Sequence, residues 1–178
     1  MPKPIQNFGR TWRFIPKQIA TPATVAELAQ LIIDSPKLRP MGSRHSWSQG
    51  IVTDETLVSL ENLNQIIDID FENKKVKTGA GIILKKLIAA LEQKGLAMAN
   101  LGSIHAQTLA GAICTGTHGT GKQFQCLASQ VLQFSIIAAD GTKHIFTKDS
   151  DEFNAAIINL GTLGIISEVT LQLCSALI

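Results

Sequence analysis

Between Leu101 and Gly121 only His105, His118 and the Cys114 thiol can ionise, yet the segment is dense in groups that can bond a ligand. Thr108, Thr115, Thr117 and Thr120 bring hydroxyls, each a donor and an acceptor. Gly102, Gly111, Gly116, Gly119 and Gly121 leave bare backbone, which lets a large ligand come close. The segment has too much Gly, Ala and Thr for an ordinary core and too little charge for a solvated linker. Two readings fit it: a wall laid against a flat, polar-edged cofactor, or a glycine-rich loop beside a buried strand. A second segment, Gly42-Ser43-Arg44-His45-Ser46-Trp47-Ser48, has the chemistry of an anion site. Small residues after a strand let backbone N–H groups turn inward around a phosphate. This turn is not a Walker loop, because G-x-x-x-x-G-K-[ST] is absent. No G-x-G-x-x-G follows a strand, so a dinucleotide fold of the Rossmann type is excluded on its own terms.

Holding these groups in place requires strands and helices around them. Residues 1–16 read as an extended arm whose aromatics, Phe8 and Trp12 among them, seal the edge of a first lobe. Ile19-Ala20 is a short strand. Thr24 caps the helix that follows, with Glu27 as its capping-box partner. Val25, Leu28, Ala29, Ile32 and Ile33 repeat at helical spacing, and Asp34-Ser35-Pro36 ends the run. Leu38-Arg39-Pro40-Met41 is a strand leading into the small-residue turn, and Thr56–Leu60 is a buried strand. Ile66–Asp70 and Lys75–Gly79 form a hairpin. A helix over Ile83–Lys94 buries Leu84, Leu87, Ile88 and Leu91, and Gly95 closes it. Val131–Ala139 and Lys143–Phe146 form a hairpin through Asp140-Gly141. A short helix from Ser150 to Ile158 precedes a one-face-buried strand over Ile165–Leu173. The pattern is α+β: a small α/β lobe over about residues 1–75, and a mainly antiparallel lobe with helices over about 76–178.

Composition narrows the class. With 178 residues and 45% hydrophobic content, the chain can build a core as one large domain or two small lobes. A net charge of +2 gives no clustered basic face, so nucleic acid is not an expected partner. Cys114, Cys126 and Cys174 are widely spaced, with no C-x-x-C pair. An odd, scattered set points to reduced thiols and a cytoplasmic protein. The N-terminus, Met1 to Asn7, has no apolar signal core, and no apolar run reaches the length of a bilayer span. No residue set is read as a metal site.

Pro40–Ser48, Leu101–Gly121 and Leu160–Leu173, in that order, resemble the FAD-binding domain of the vanillyl-alcohol oxidase flavoprotein family, and most closely its aldonolactone oxidase and alditol oxidase branch. The most specific piece is Gln107-Thr108-Leu109-Ala110-Gly111-Ala112, followed by Thr115-Gly116-Thr117-His118-Gly119. The resemblance runs from Ile19-Ala20-Thr21-Pro22 to Leu171. It implies FAD held between two lobes. Pro40, Met41, Gly42, Ser43, Arg44, His45 and Ser46 would wrap the pyrophosphate. Leu101, Gly102, Ser103, Thr108, Gly111, Ala112, Thr115, Thr117, His118 and Gly119 would line the pyrophosphate, ribityl chain and ring. The backbone of Gly164, Ile165 and Ile166 would meet the nucleotide end. In much of this branch, the His of the Gly-x-x-His-Ser turn bonds the flavin 8α-methyl carbon, which makes His45 the covalent candidate. A neutral imidazole nitrogen is a competent nucleophile near neutral pH. The alternative for His45 is a hydrogen bond to phosphate or backbone.

Many relatives carry a second Gly where Arg44 stands and an Asp where Ser103 stands. Relatives also continue into a cap domain that binds substrate, so no catalytic acid or base is assigned within these residues. The apolar end Ala176-Leu177-Ile178 reads as a chain cut mid-run. The implied activity is oxidation of an alcohol carbon of a polyol or sugar lactone, with electrons passed to oxygen or another acceptor. The alternatives are a non-catalytic FAD or nucleotide-binding module, and a nicotinamide-dependent reductase of similar fold, against which the histidine of the turn argues.

Overall fold

The computed structural model describes residues 4–176. The expectations for Met1, Pro2, Lys3, Leu177 and Ile178 lie outside the described residues. At the N-terminus the expected extended arm is instead a hairpin, with β1 (Ile5–Gln6) antiparallel to β2 (Arg13–Phe14). The turn between them is pinned from inside by Asn7, which is 3% exposed. Its carboxamide accepts from the Trp12 N–H and donates to Thr11 Oγ1.

β3 (Gln18–Ala20), α1 (Val25–Asp34), β4 (Leu38–Met41) and β5 (Thr56–Ser59) make the first α/β unit. The three strands lie parallel in the order β3-β5-β4, with the buried Leu57 and Val58 at the centre. Thr24 caps α1 through its hydroxyl, which accepts from Glu27 N, while the Glu27 carboxylate reaches back to the N–H of Ala23. Leu28 and Ile32 turn into the core, but Ile33 does not share their face and is 55% exposed. It lies over the Asp140-Gly141 turn instead, so close that a Cβ on Gly141 would meet its Cδ1 at 2.6 Å.

The second sheet has five strands, every neighbouring pair antiparallel. They are β6 (Ile66–Asp70), β7 (Lys75–Gly79), β9 (Val131–Ile137), β10 (Lys143–Thr147) and β11 (Ile165–Gln172), ordered β10-β9-β11-β7-β6. The hairpin Ile66–Gly79 therefore belongs wholly to this sheet. The change from one sheet to the other falls between Ser59 and Ile66. Two short strands, β8 (Leu96–Ala97) and β12 (Cys174–Ser175), pair at the edge and show no signal of their own in the sequence.

Two helices cover the sheets: α2 (Leu84–Glu92) and α4 (Asp151–Ala156). α2 buries Leu84, Leu87 and Leu91, and Gly95 closes it at φ +69°. A third helix, α3 (Leu109–Cys114), stands inside the glycine-rich segment. Neither reading of that segment contained a helix, because six residues including Gly111 are too few to show a period. It forms because Thr108 caps it, its hydroxyl accepting from Gly111 N at 3.2 Å, and because Leu109, Ala112 and Ile113 are buried. Leu28, Val58, Leu87, Ile113, Phe134 and Leu171 all belong to one hydrophobic cluster, so both sheets share a single core.

Candidate functional site

All three parallel strands of the first sheet open at their C-terminal ends into one cleft of about 850 Å³. Ile19 and Thr21 come from the end of β3, Met41 and Gly42 from the end of β4, and Ser59 and Glu61 from the end of β5. The carboxyl ends of parallel strands are where open α/β sheets place their ligands, because the chain there turns away and leaves room. The far wall is built by Gly81, Ile83 and Lys86 at the start of α2 and by Ala106 and Thr108 before α3.

The two segments singled out by their residue types meet here. A Cβ added to Gly42 would lie 2.6 Å from Thr108 Oγ1 and 3.7 Å from the Cα of Gly111. No side chain fits between the turn after β4 and the cap of α3. The second segment is held in register by the start of α2. Leu84 N donates to Gln107 O and Lys85 N to His105 O, each at 2.9 Å, and Leu109 N donates to Ile82 O at 2.8 Å. Those carbonyls satisfy N–H groups that the first turn of a helix cannot bond internally.

Of the expected site residues, Met41, Gly42, Ser43, Arg44, His45 and Thr108 line the cleft. Pro40 is paired in β4, and its ring lies beside Gly161. Gly111 stands behind Thr108, and Ala112 is wholly buried beneath α3. Ser46 and Ser103 are exposed. Ser46 shares a hydroxyl–hydroxyl contact of 2.9 Å with Ser48. Thr115 donates back to Gly111 O, and the Thr117 hydroxyl accepts from the Gln107 amide at 3.2 Å. Leu101, Gly102, Thr117, His118 and Gly119 form a second stretch beyond α3. There Gly119 lies against the Leu101 carbonyl, and a Cβ on Gly102 would meet Thr117 Cγ2 at 3.1 Å. His118 is exposed, its Nδ1 2.9 Å from Gly119 O. Gly164 packs on the Ile137 carbonyl, and the Ile165 and Ile166 side chains point into the core, leaving only backbone at that end.

Residue types did not single out Thr21, Ser59, Glu61, Asn64 or Lys86. Strand–helix–strand over β3, α1 and β4 does imply a parallel crossover, and with it a ligand-facing position just past β3, where Thr21 stands. Glu61, Asn64 and Lys86 reach the cleft only through tertiary packing, which no local pattern announces.

The cleft can hold a dinucleotide. Arg44 and Lys86 both line it, and among the described residues neither is ion-paired, which suits a pyrophosphate. The glycine cradle at Gly42 lets backbone come close to a phosphate. His45 Nδ1 is buried with no hydrogen-bond partner, a polar atom available to a ligand. Among the described residues no group of three or more His, Cys, Asp or Glu side chains could hold a metal ion.

Comparison with known proteins agrees. A family model described as FAD binding domain matches residues 16–147. L-gulonolactone oxidase of Mus musculus is 35% identical over 173 residues, covering 94% of this chain and 39% of that protein. L-gulono-1,4-lactone dehydrogenase of Mycobacterium tuberculosis is 34% identical over 161 residues, covering 88% and 37%. The mitochondrial L-galactono-1,4-lactone dehydrogenase of Arabidopsis thaliana is 31% identical, covering 94% and 28%. The chain thus spans roughly a third of the length of these curated relatives. Among solved structures, a cholesterol oxidase from Brevibacterium sterolicum superposes with a TM-score of 0.86 at 18% identity, covering 98% of this chain and 37% of that one. An alkyldihydroxyacetonephosphate synthase superposes at 0.80 and 17%, covering 90% and 32%. The fold, the cleft and the matched residues therefore agree: the chain belongs to the FAD binding domain family.

Proposed function

We propose that this chain is the flavin-holding part of an oxidoreductase that oxidises a hydroxyl-bearing carbon of a sugar lactone or polyol and passes the electrons to oxygen or another acceptor. The single observation that carries the reading is the meeting of Gly42 with Thr108 and Gly111 at the C-terminal ends of three parallel strands. The sugar lactones in the relatives' names favour a lactone over a simple polyol.

Bound FAD would supply the hydride acceptor. The chain's own residues bind and orient it. Arg44 and Lys86 offer charge to its pyrophosphate, while Ser43 and the Gly42 backbone offer hydrogen bonds. Leu101, Gly102, Ser103, Thr115, Thr117, His118 and Gly119 are assigned to the cofactor beyond α3, and Pro40, Ser46 and the backbone of Gly164, Ile165 and Ile166 to its flanks. Substrate-binding groups come from residues outside these 178, a reading supported by the length of the relatives. A covalent bond from His45 to the flavin 8α-methyl carbon is part of the proposal. Forming it replaces one methyl hydrogen and the imidazole hydrogen, and the two electrons released pass to the acceptor.

No described helix is long and apolar enough to cross a membrane. Three free cysteines support a cytoplasmic setting, and the weak net charge supports a small-molecule rather than a nucleic-acid partner.

The test is reconstitution. The purified protein is incubated with FAD, desalted and read between 350 and 500 nm, about where oxidised flavins absorb. Retained flavin absorbance and a rise in melting temperature with FAD are expected; a colourless protein with an unmoved melt overturns the reading. Retained flavin without turnover of any aldonolactone or alditol by the full-length protein would leave a binding module and overturn the oxidoreductase. Yellow colour that stays with acid-precipitated protein, and leaves it in His45→Ala, is the expected sign of the tether.

A further inference from the structure

The N-terminal hairpin grips the His45 turn at five points. Asn7 Nδ2 donates to Ser46 O at 3.0 Å, Phe8 N to Arg44 O at 2.8 Å, and Trp12 Nε1 to Trp47 O at 3.1 Å. The Phe8 ring stacks on the His45 imidazole, centroids 4.8 Å apart and planes 27° from parallel. Gly9 passes so close under Trp47 that a Cβ would meet its ring at 2.8 Å. The turn needs such a grip. Arg44 has φ 64°, a conformation that costs a side-chain-bearing residue free energy and persists only where its surroundings impose it. The Arg44 carbonyl is held by the hairpin, and the next residue is His45.

Phe8 itself is 63% exposed, and its ring covers a polar side chain. What it covers is the imidazole whose Nδ1 is buried and unpartnered. Core packing does not account for the contact, because neither ring belongs to the hydrophobic cluster.

We propose that the hairpin Ile5–Phe14 is a clamp on the ligand-binding turn, and that Phe8 is a positioning residue that fixes the ring plane of His45 at the cleft. The clamp goes beyond the flavoprotein reading and needs it only for its effect on FAD. Phe8 acts through His45. A ring is required, because only an aromatic face holds an imidazole flat by stacking. An aliphatic side chain of similar bulk would leave the imidazole free to rotate.

The experiment is imidazole NMR on the full-length protein labelled with ¹⁵N-histidine, comparing wild type with Phe8→Leu, Phe8→Tyr and Trp12→Phe. Wild type and Phe8→Tyr should give one sharp set of His45 ring signals, displaced by the stacked ring. Phe8→Leu should lose the displacement and show signals broadened by ring rotation at an unchanged melting temperature. Trp12→Phe keeps an aromatic body and removes one tether, and should broaden the His45 signals with Phe8 intact. Identical His45 signals in wild type and Phe8→Leu would overturn the proposal, as would loss in Phe8→Leu that Phe8→Tyr does not restore. FAD titration of the same samples separates the two readings. If wild type binds no FAD the flavoprotein reading fails, while the apo-protein NMR still judges the clamp. If FAD binds equally well to wild type and Phe8→Leu and the His45 signals also match, the clamp alone is overturned.

Discussion

Gly42 and Thr108 lie so close that a methyl group on the glycine would sit 2.6 Å from the threonine hydroxyl oxygen. That hydroxyl is already committed to capping α3 through Gly111 N. Gly42→Ala must therefore displace the cap or the turn. Losing a cap costs about 1 kcal/mol, so a lower melting temperature and weaker FAD binding are expected. Thr108→Ala removes the obstructing oxygen. In a double-mutant cycle followed by thermal denaturation, the pair should cost less than the sum of the single changes. Strict additivity would show that the two residues do not press on each other.

Arg44 is held at φ 64°, a backbone conformation that glycine adopts without a Cβ penalty. Arg44→Gly relieves a backbone cost of about 1–3 kcal/mol, offset by about 0.5–1 kcal/mol of added chain entropy. The melting temperature of the apo-protein should stay level or rise. Removing a cation from the cleft should weaken FAD binding and flatten its salt dependence, both readable by titration at two ionic strengths. A destabilised apo-protein with unchanged affinity would contradict both halves of this expectation.

On the second sheet, Lys143 Nζ approaches the Glu168 carboxylate at 2.6 Å and Lys77 at 3.6 Å. Partial burial pushes the carboxyl up, but the hydrogen bond and charge of Lys143, then Lys77, outweigh it and hold the carboxyl below its ordinary 4.5. A depressed folded-state pKa gives stability that is present above the unfolded value and lost as pH falls through the folded one. Both lysines are more than a third exposed, so solvent screens the pair and the contribution stays under about 1 kcal/mol. Denaturant melts of wild type and Glu168→Gln should differ at pH 7 and converge only in acid below the ordinary glutamate range, where the depressed carboxylate finally protonates. A gap that persists in acid would assign the effect to packing.

Burial at the C-terminal end of α3 raises the Cys114 thiol from 9.0 to about 11, only partly opposed by the Gly161 backbone. The thiolate, which is the reactive form, is then about a hundredfold scarcer near pH 8. Alkylation at that pH followed by peptide mapping should leave Cys114 unmodified in the folded protein and label it in urea. Rapid labelling of Cys114 without denaturant would contradict its placement.

What was legible in the sequence follows the reach of each signal. Thr24 with Glu27, Asp140-Gly141, and the spacing of Leu84, Leu87 and Leu91 act within one turn of chain, and each matches the structure. Ile33 shares the helical spacing of Leu28 and Ile32, yet it lies over a distant turn because the face available for burial was set by the sheet. α3 was hidden because a cap and three buried side chains, not propensity, make it a helix. Glycines and hydroxyls announced the turn after β4 and the cap of α3. Glu61, Asn64 and Lys86 look like ordinary surface residues until three strand ends bring them to the same cleft.

β11 is the middle strand of the five, bonded on one side to β9 and on the other to β7, yet it is nearly the last element in the chain. Until residues 165–172 have left the ribosome, the hairpins on either side of it have nothing to join them. Each nascent hairpin then exposes the long edge that will later receive β11, at the stage when unpaired strands are most prone to pair with neighbouring chains. Assembly of the cofactor-binding unit is thus governed by a strand that contributes no side chain to the cleft.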